Sequence, residues 1–323
     1  MNDITLEKVS KSYLVPVRSG KPFKDLVKRE YQKIDAVRNI SMEIAHGEAV
    51  GLIGPNGAGK STTLKMLTGI LVPDSGKITV FGKDPFAQRK RNCSNIGVLF
   101  GQKSQLWWDL PAKDTFVLLK KIYKIPDQIF EKNMEKYTDV LDVSRYIDQP
   151  VRQLSLGQRT RLELMASLLH NPGILFLDEP TLGLDVAVKR QIRELLQMLK
   201  GETTIILTSH DMKDIDIVCE RLVVIDKGSI VIDDAIDRVK KTYGNMEKIE
   251  IKLKEADREA VRFLPPEVHA QIEENTIICN YDVNRIHSAD ILQCVLQHCS
   301  VMDVSIMSAD IDDIIEKIYE GSH

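Results

Sequence analysis

The stretch GPNGAGKST, from Gly54 to Thr62, constrains the fold of this chain more than any other feature. It fits the pattern G-x-x-x-x-G-K-[ST], in which glycines let backbone N–H groups turn towards phosphate oxygens. The preceding AVGLIG is strand-like and the following TTLKMLTGIL is helical, as a phosphate-binding loop requires. We expect Lys60 to reach the β and γ phosphates of a nucleotide and the Ser61 hydroxyl to face Mg²⁺. The residues predicted to contact the nucleotide here are Gly54, Pro55, Asn56, Gly57, Ala58, Gly59, Lys60, Ser61 and Thr62.

A second phosphate motif lies far downstream. In ILFLDEP, four apolar residues precede Asp178 and Glu179. A buried strand that ends in an acid places that acid at the carboxyl edge of a parallel sheet, beside a phosphate loop. We expect Asp178 to hold Mg²⁺ and Glu179 to polarise an attacking water. Taken alone, the pair DE could equally be a solvated strand end.

Strand-like and helix-like segments alternate up to residue 243. The strand-like segments are ITLEKVSKSY, SMEIAHGEAVGLIG, GKITVFG, NIGVLFG, GILFLDEP, TTIILTSH and RLVVIDKGSIVI, and the helix-like ones include GQRTRLELMASLLH and VAVKRQIRELLQMLK. This alternation favours an α/β fold with helices on a largely parallel sheet. Beyond Gly244, short strands and the helical segments SADILQCVLQHC and DIDDIIEKIYE predict a small α+β domain. The expected domains are therefore residues 1–243 and 244–323.

Composition limits the partners and the compartment. The chain has 323 residues, 28% of them charged, and a net charge of −3, so no overall positive field points to nucleic acid. No stretch approaches the roughly 20 apolar residues that span a bilayer. The segment MNDITLEKVSKSY lacks an apolar signal core, so we expect a chain made and kept in the cytosol.

The five cysteines are scattered and include no CxxC pair, which argues against a disulfide framework. Cys294 and His298 could share one face of the helix ILQCVLQHC, with Cys299 next to them, and hold a metal ion. We favour the simpler interpretation, in which all three are ordinary residues of an amphipathic helix.

The segment LSLGQRTRLELMA begins at Leu154, between the two phosphate motifs. The order of these motifs resembles that of the ATP-binding subunits of ABC transporters, whose signature is usually LSGGQ. Here Ser155, Gly157 and Gln158 match that signature, and Leu156 stands where glycine is commonest. The resemblance implies that the signature presents a hydroxyl and a helix amino end to the γ-phosphate of ATP bound by a partner subunit. A plain helix cap at Ser155 would also explain the serine.

Further motifs of this family follow in the expected order. The resemblance implies that Tyr13 stacks on adenine, that Gln102 touches Mg²⁺ and the attacking water, and that His210 senses the γ-phosphate. It also places Asp185, in TLGLD, at a loop that crosses to the partner subunit. Gln102 comes one residue later than the usual spacing, and Gln105 is a less favoured rival for its role.

The resemblance implies a function as well as a fold. We expect a P-loop, ABC-type nucleotide-binding domain with a helical subdomain at about 103–170, which binds ATP and Mg²⁺ and hydrolyses the ATP. Closure of two subunits, either two copies or this chain and a similar ATPase, would drive separate membrane permease subunits. We expect no nucleic-acid partner and a place at the cytoplasmic face of the cell membrane, held there by the permease.

Narrower features resemble bacterial exporters of drugs, antibiotics or viologen-like cations. These features are QLWWDLP, PVRQLSLGQR and the small tail domain. Only this narrower resemblance favours export over import, and the residues specify no substrate.

Two segments are candidate contacts for a membrane or a permease. The basic insertion at 14–33 could form an amphipathic piece near anionic lipid or a permease, or an ordinary solvated loop or helix. Adjacent side chains of an extended segment point to opposite sides, so we expect one of Trp107 and Trp108 in the core. We expect the other, Trp108, to face outward as an anchor for the permease.

The main alternative is a soluble ABC-type ATPase that acts on ribosomes or nucleic acid. Ribosome-acting members usually carry two cassettes, whereas this chain has one phosphate loop and one signature. Chromosome-type members insert a long coiled coil between motifs that here fit one compact domain. A regulatory partner without hydrolysis would typically lack the base at Glu179. The sequence therefore favours a transporter subunit.

Overall fold

The computed structural model describes residues 2–17, 30–101, 104–244, 246–255, 260–308 and 314–315. The chain divides into two compact units, Met1–Asp234 and Ala235–His323. The boundary lies at Asp234 rather than at the predicted residue 243, because the helix Ile236–Tyr243 groups with the second unit.

The strands, in chain order, are β1 (Asn2–Val17), β2 (Glu30–Ala45), β3 (Ala49–Ile53), β4 (Ser75–Val80), β5 (Ile96–Phe100), β6 (Ile174–Asp178), β7 (Thr204–Thr208), β8 (Arg221–Asp226), β9 (Ser229–Ala235), β10 (Met246–Leu253), β11 (His269–Glu273), β12 (Thr276–Asp282) and β13 (Val301–Ser308). The helices are α1 (Lys60–Leu67), α2 (Arg89–Cys93), α3 (Ala112–Tyr123), α4 (Asp127–Val140), α5 (Leu156–Leu168), α6 (Val186–Leu199), α7 (Met212–Val218), α8 (Ile236–Tyr243) and α9 (Ser288–His298). No helix among the described residues is long and apolar enough to cross a membrane.

The first unit contains two sheets. A six-stranded sheet has the order β5-β6-β7-β3-β8-β9, and its neighbours from β5 to β8 run parallel, as the alternating sequence predicts. The strands β2, β1 and β4 form a separate antiparallel sheet, which the prediction of one largely parallel sheet missed. The segment SMEIAHGEAVGLIG is accordingly two strands, because a turn at Gly47 with φ 76° separates β2 from β3.

One core cluster joins the two sheets of the first unit. It includes Ile4 and Ile40 from the antiparallel sheet, Leu64 from α1, and Phe176 and Val223 from the parallel sheet, all at most 2% exposed. Burying such side chains contributes about 1.5–3 kcal/mol each. Because α1 is fastened within this core, the loop that precedes it has a rigid base.

A helical region interrupts the parallel sheet between β5 and β6. It consists of α3, α4 and α5, and α5 packs against both of the other helices and against β5. The buried face of α5 includes Leu162, Leu164 and Met165, none of which is measurably exposed. Because the rest of α5 is buried, the position of its amino end, which carries the signature, is fixed.

The second unit is a four-stranded antiparallel sheet with the order β11-β12-β10-β13. Ile249, Ile277 and Tyr281 from its strands and Ile291 and Val295 from α9 form its core. The α+β character agrees with the sequence, although β11 was not predicted. Most of the predicted helix DIDDIIEKIYE lies outside the described residues.

The cysteine-rich end of α9 has an ordinary surface arrangement. The Nδ1 atom of His298 lies 3.0 Å from the Cys294 carbonyl oxygen, and its ring stacks on Phe263 at 4.0 Å. All five cysteines carry free thiols. These contacts support the amphipathic-helix interpretation over a metal site.

The basic insertion is described only at its two ends. Leu14 pairs with Lys33 and Val17 with Glu30, so β1 and β2 continue into it as an antiparallel ribbon. Its central residues 18–29, which carry most of the predicted amphipathic face, lie outside the described residues.

Candidate active site

The phosphate loop lies between β3, which is wholly buried, and α1. Gly59 requires its glycine, because its φ is 115° and a Cβ there would stand 2.4 Å from the Ala36 carbonyl oxygen. The Lys60 ammonium donates to the carbonyl oxygens of Gly54 at 2.5 Å and Pro55 at 3.2 Å. The loop is therefore curled around its own lysine, with Lys60 at its centre.

Lys60 is only 8% exposed. Burial lowers its pKa, and the negative charges of Glu179 and Asp178 act in the opposite direction. A cation that has lost most of its water is poised to bind an anion, because little further desolvation is needed.

Asp178 ends β6 and faces the start of α1. Its Oδ1 accepts from the Ser61 hydroxyl at 3.4 Å and from the Thr208 hydroxyl at 2.7 Å. Thr208 ends the neighbouring strand β7 and is fully buried. The sequence predicted that Ser61 and Asp178 meet at this sheet edge but missed Thr208, whose only signal was its place at the end of an apolar strand.

Glu179 follows Asp178 in the left-handed region, with φ 54°. Its backbone N–H points to the Thr208 carbonyl and hydroxyl oxygens, each 3.1 Å away. Its Oε2 accepts from the backbone N–H of His210 at 3.0 Å, and the His210 Nε2 lies 3.6 Å from Oε1. The structure therefore brings the two predicted catalytic side chains together.

The other carboxylate oxygen of Glu179 is buried and has no hydrogen-bond partner among the described residues. Burial raises the pKa of this carboxyl, while His210 and Lys60 lower it. A buried carboxylate oxygen without a hydrogen-bond partner can accept a hydrogen bond or a proton from a bound water, as a general base does.

The oxygen atoms of Ser61 and Asp178 suit a magnesium ion, which prefers hard oxygen ligands. Within the described ranges, no group of three or more His, Cys, Asp or Glu side chains is placed to hold a metal by itself. One carboxylate and one hydroxyl match the sparse protein ligation of Mg²⁺, which usually relies on substrate phosphates and water.

Tyr13 lies on β1 beside the phosphate loop. Its hydroxyl is 3.4 Å from the Thr62 hydroxyl, and 38% of the residue is exposed. A half-exposed aromatic ring at this point can offer a face to a base, and adenine stacking by Tyr13 stays a prediction.

Ser155 caps α5 through a reciprocal pair of hydrogen bonds. Its hydroxyl oxygen accepts from the Gln158 N–H at 3.2 Å, and its own N–H donates to the Gln158 side chain at 2.9 Å. Within the described part of the chain the hydroxyl proton makes no hydrogen bond, so it can donate to an anion. Leu156, at the unusual signature position, is 45% exposed.

Asp185 caps α6 through a single hydrogen bond, since its carboxylate accepts from the Val188 N–H at 2.9 Å. The two caps are adjacent: a Cβ on Gly157 would stand 3.2 Å from Val188, and one on Gly183 would stand 3.2 Å from Leu156. The signature and the TLGLD loop therefore form one surface.

The predicted glutamine site is only partly described. Gln102 lies outside the described residues, so its contact with Mg²⁺ and water stays a prediction. Its rival Gln105 donates its side-chain amide to the Val98 carbonyl of β5. Gly101, just before Gln102, donates to the Asp178 carbonyl at 3.2 Å.

The expectation for the two tryptophans was wrong in one respect. Trp107 is 54% exposed and Trp108 is 53% exposed, so neither belongs to the core. The segment is a turn, in which Leu110 donates to the Trp107 carbonyl at 3.2 Å, and the alternation of an extended strand does not apply. The Arg159 guanidinium lies 5.7 Å from the centre of a Trp108 ring.

Comparison with known proteins places these motifs in one family. A sequence model of the family ABC transporter matches residues 37–182. The ABC transporter ATP-binding protein NatA of Bacillus subtilis is 34% identical over 205 residues, which cover 63% of this chain and 83% of NatA. The linearmycin resistance ATP-binding protein LnrL of the same organism is 27% identical over 292 residues, or 89% of this chain and 93% of LnrL. The Nod factor export ATP-binding protein I of Ralstonia nicotianae is 34% identical over 203 residues, or 62% of this chain and 63% of that protein.

The solved dimeric structure of MJ0796, a bacterial ABC transporter cassette, matches with a TM-score of 0.60 at 26% identity, over 72% of this chain and 98% of that one. Some relatives are much longer: the chain spans 13% of ABC transporter A family member 6 of Dictyostelium discoideum. The chain belongs to the ABC transporter family as an ATP-binding cassette, and it is an ATPase. The family, the fold class and the enzyme class predicted from the sequence are confirmed.

Proposed function

We propose that this chain is the ATP-hydrolysing subunit of an exporter, and that it drives separate permease subunits by closing on a second ATPase subunit around ATP. The observation that carries the proposal is the buried Glu179 carboxylate, one oxygen of which is bound by His210 N–H while the other lacks a hydrogen-bond partner within the described part of the chain. It stands beside the phosphate loop and Asp178, where a base for ATP hydrolysis is needed.

Each residue of this site has a distinct task in the proposed reaction. Lys60 and the loop N–H groups hold the β and γ phosphates, and Tyr13 stacks on adenine. Ser61 and Asp178 hold Mg²⁺, which when bound neutralises phosphate charge. Glu179 accepts a proton from the attacking water, and His210 keeps the carboxylate aimed at it.

The signature acts on ATP in the partner subunit. The Ser155 hydroxyl can donate to a phosphate oxygen while it caps α5, and the helix amino end adds a favourable dipole. Gly157 keeps the backbone accessible because it carries no side chain. Asp185, on the same surface, contacts the partner. Two copies of this chain supply two such sites, and a similar ATPase subunit could replace one copy.

Export and the permease partner rest on family membership and on the names of the relatives. One relative is named for export of Nod factor and another for resistance to linearmycin. We place the subunit at the cytoplasmic face of the membrane, held by the permease. A role on ribosomes or nucleic acid has no comparable support.

Light scattering of the full chain tests dimer closure. We expect Glu179→Gln to be a dimer with ATP and a monomer without nucleotide, because bound ATP persists at the interface. Lys60→Ala is the matched control and should stay monomeric with ATP. A Glu179→Gln chain that binds ATP and remains a monomer at every protein concentration would contradict the closure mechanism. Co-purification with a multi-span permease encoded beside this chain tests the transport role.

A further inference from the structure

Asp214, on α7, has a carboxylate that receives hydrogen bonds from three separate elements. The residue is only 1% exposed. Its Oδ2 accepts from the Thr181 hydroxyl and, at 2.9 Å, from the Ser209 hydroxyl. Its Oδ1 accepts from the Arg193 side chain at 2.5 Å. A buried charge persists only when it is paired and hydrogen-bonded, and here both oxygens are engaged.

The three donors come from the segments that carry the reaction. Thr181 lies two residues after Glu179, and Ser209 immediately precedes His210. Arg193 lies on α6, the helix that Asp185 caps. The buried Asp214 carboxylate therefore connects three segments. They are the loop after Glu179, the loop before His210, and α6, which begins after Asp185.

A second acid completes this network. Asp211 accepts from the Lys189 ammonium at 2.7 Å and from the Arg193 guanidinium at 3.2 Å. Its backbone N–H donates to the Ser209 hydroxyl at 3.0 Å. The network contains two carboxylates, Asp211 and Asp214, and two cations, Lys189 and Arg193. Their charges balance, so the network can keep a fixed geometry without an excess buried charge.

Glu179 needs such support, because its backbone is in the left-handed region with φ 54°. A non-glycine residue in that region persists only when its surroundings hold it there. The Glu179 N–H donates to Thr208. The loop after Glu179 is held by the hydrogen bond from the Thr181 hydroxyl to Asp214. We propose that Asp214 is a positioning residue for hydrolysis, which holds the Glu179 loop and the His210 loop at the separation that lets His210 N–H orient the Glu179 carboxylate. This inference rests on the proposed function, in which Glu179 is the base.

Single-turnover hydrolysis and ATP binding by the full chain separate this role from a structural one. We expect Asp214→Asn to lower the hydrolysis rate about ten- to a hundredfold, because a catalytic group shifted by an ångström loses that much. The ATP dissociation constant should not change, since Thr181, Ser209 and Arg193, which donate to Asp214, all lie outside the phosphate loop. Thr181→Val, which removes one hydroxyl with little change of shape, should act in the same direction and guards against a failure of Asp214→Asn to fold.

Two matched comparisons sharpen the test. Arg193→Met should resemble Asp214→Asn, whereas Arg190→Met, on the same helix with an exposed ion pair to Glu194, should leave the rate unchanged. In a Glu179→Gln background, Asp214→Asn should cause no further loss, because its effect passes through Glu179. An equal further loss in that background would overturn the proposal.

The rate per bound ATP gives an independent readout. Loss of positioning lowers this rate in Thr181→Val, whereas fewer folded molecules lower the number of ATP sites and leave the rate per bound ATP unchanged. An unchanged rate per bound ATP would contradict positioning. Full turnover of Glu179→Gln would show that Glu179 is not the base and would contradict the proposed function. Full turnover of Asp214→Asn and Thr181→Val, with Glu179→Gln inactive, would contradict only the positioning role.

Discussion

Among single residues, Glu179 has a buried carboxylate of which only one oxygen accepts a hydrogen bond within the described part of the chain. Its Oε2 is fixed by His210 N–H, while the buried Oε1 makes no hydrogen bond within the described ranges. A buried acceptor without a partner costs about 1–3 kcal/mol, so this arrangement lowers stability and points to a role in the reaction.

Glu179→Gln should abolish nearly all turnover and leave ATP binding intact. Glutamine keeps the shape of the side chain but cannot accept the proton of the attacking water. Loss of a positioned base typically costs a factor of about 10² to 10⁴. Steady-state ATPase activity and ATP affinity of the purified variant check this, and near-normal turnover would rule out the role of Glu179.

The turnover rate should fall as the pH is lowered through the pKa of Glu179. Burial raises that pKa above its ordinary 4.5, and the base is active when deprotonated, so activity is full above the shifted pKa and lost below it. The residual activity of Glu179→Gln is the control and should lack this acid limb. An identical limb in both proteins would assign the titration to another group.

Which site residues the sequence could predict depends on whether a recognisable motif marks them. Asp178 and Glu179 follow an apolar strand, and the edge of a parallel sheet determines where they lie. Thr208 and Asp214 escaped prediction because neither stands in a motif that indicates its hydrogen-bond partners. Only folding brings Thr208 against Asp178 and Asp214 against Thr181.

At the scale of elements, the phosphate loop depends on glycines with different constraints. Gly59 has a φ of 115° and backs onto the Ala36 carbonyl oxygen, whereas Gly57 has a φ of 83° and open space around its Cβ position. Positive φ alone costs a non-glycine residue about 1–3 kcal/mol.

Gly59→Ala should therefore be more damaging than Gly57→Ala. Both substitutions add backbone strain, and Gly59→Ala also forces the loop away from Ala36 on β2. We expect a lower melting temperature and weaker ATP binding for Gly59→Ala than for Gly57→Ala, measured by thermal unfolding and nucleotide titration. Equal effects would show that strain alone governs the loop.

The turn that carries Trp107 and Trp108 is a candidate contact with the permease. Both rings are about half exposed, so Trp108→Ala should leave the melting temperature of the free subunit nearly unchanged. In the reconstituted transporter it should weaken docking or uncouple hydrolysis from transport, because a large aromatic anchor is lost. Met198→Ala, another half-exposed apolar side chain on α6, is the control. A lower melting temperature with normal transport would assign Trp108 to stability.

In the whole molecule, the sequence patterns predicted individual strands better than they predicted which strands share a sheet. Parallel β3, β5, β6, β7 and β8 follow from the alternation of strands and helices. The antiparallel sheet of β1, β2 and β4 could not be foreseen, because Gly47 looks like an interruption within one strand until β2 and β3 enter different sheets. The second unit was predicted as α+β, but the exposed, alternating HAQIE of β11 gave too weak a signal.

In the proposed mechanism, the signature of another subunit completes each nucleotide site. Within one subunit, we assign Lys60 and Glu179 to the proposed nucleotide site, while Ser155 lies on the surface that includes the Asp185 loop. Lys60→Ala removes the ability to hold ATP, and Ser155→Arg places a bulky cation at the signature. Neither homodimer then has an intact site, and a mixed dimer has one.

Vanadate trapping of nucleotide in a mixture of Lys60→Ala and Ser155→Arg chains shows whether two chains share one site. We expect trapped nucleotide in the mixture and none in either variant alone, with the nucleotide crosslinked to the Ser155→Arg chain that retains Lys60. The control is a mixture of Lys60→Ala chains with Lys60→Ala,Ser155→Arg chains, which should trap nothing. Heterodimers that form but trap no nucleotide would contradict a site shared between identical chains.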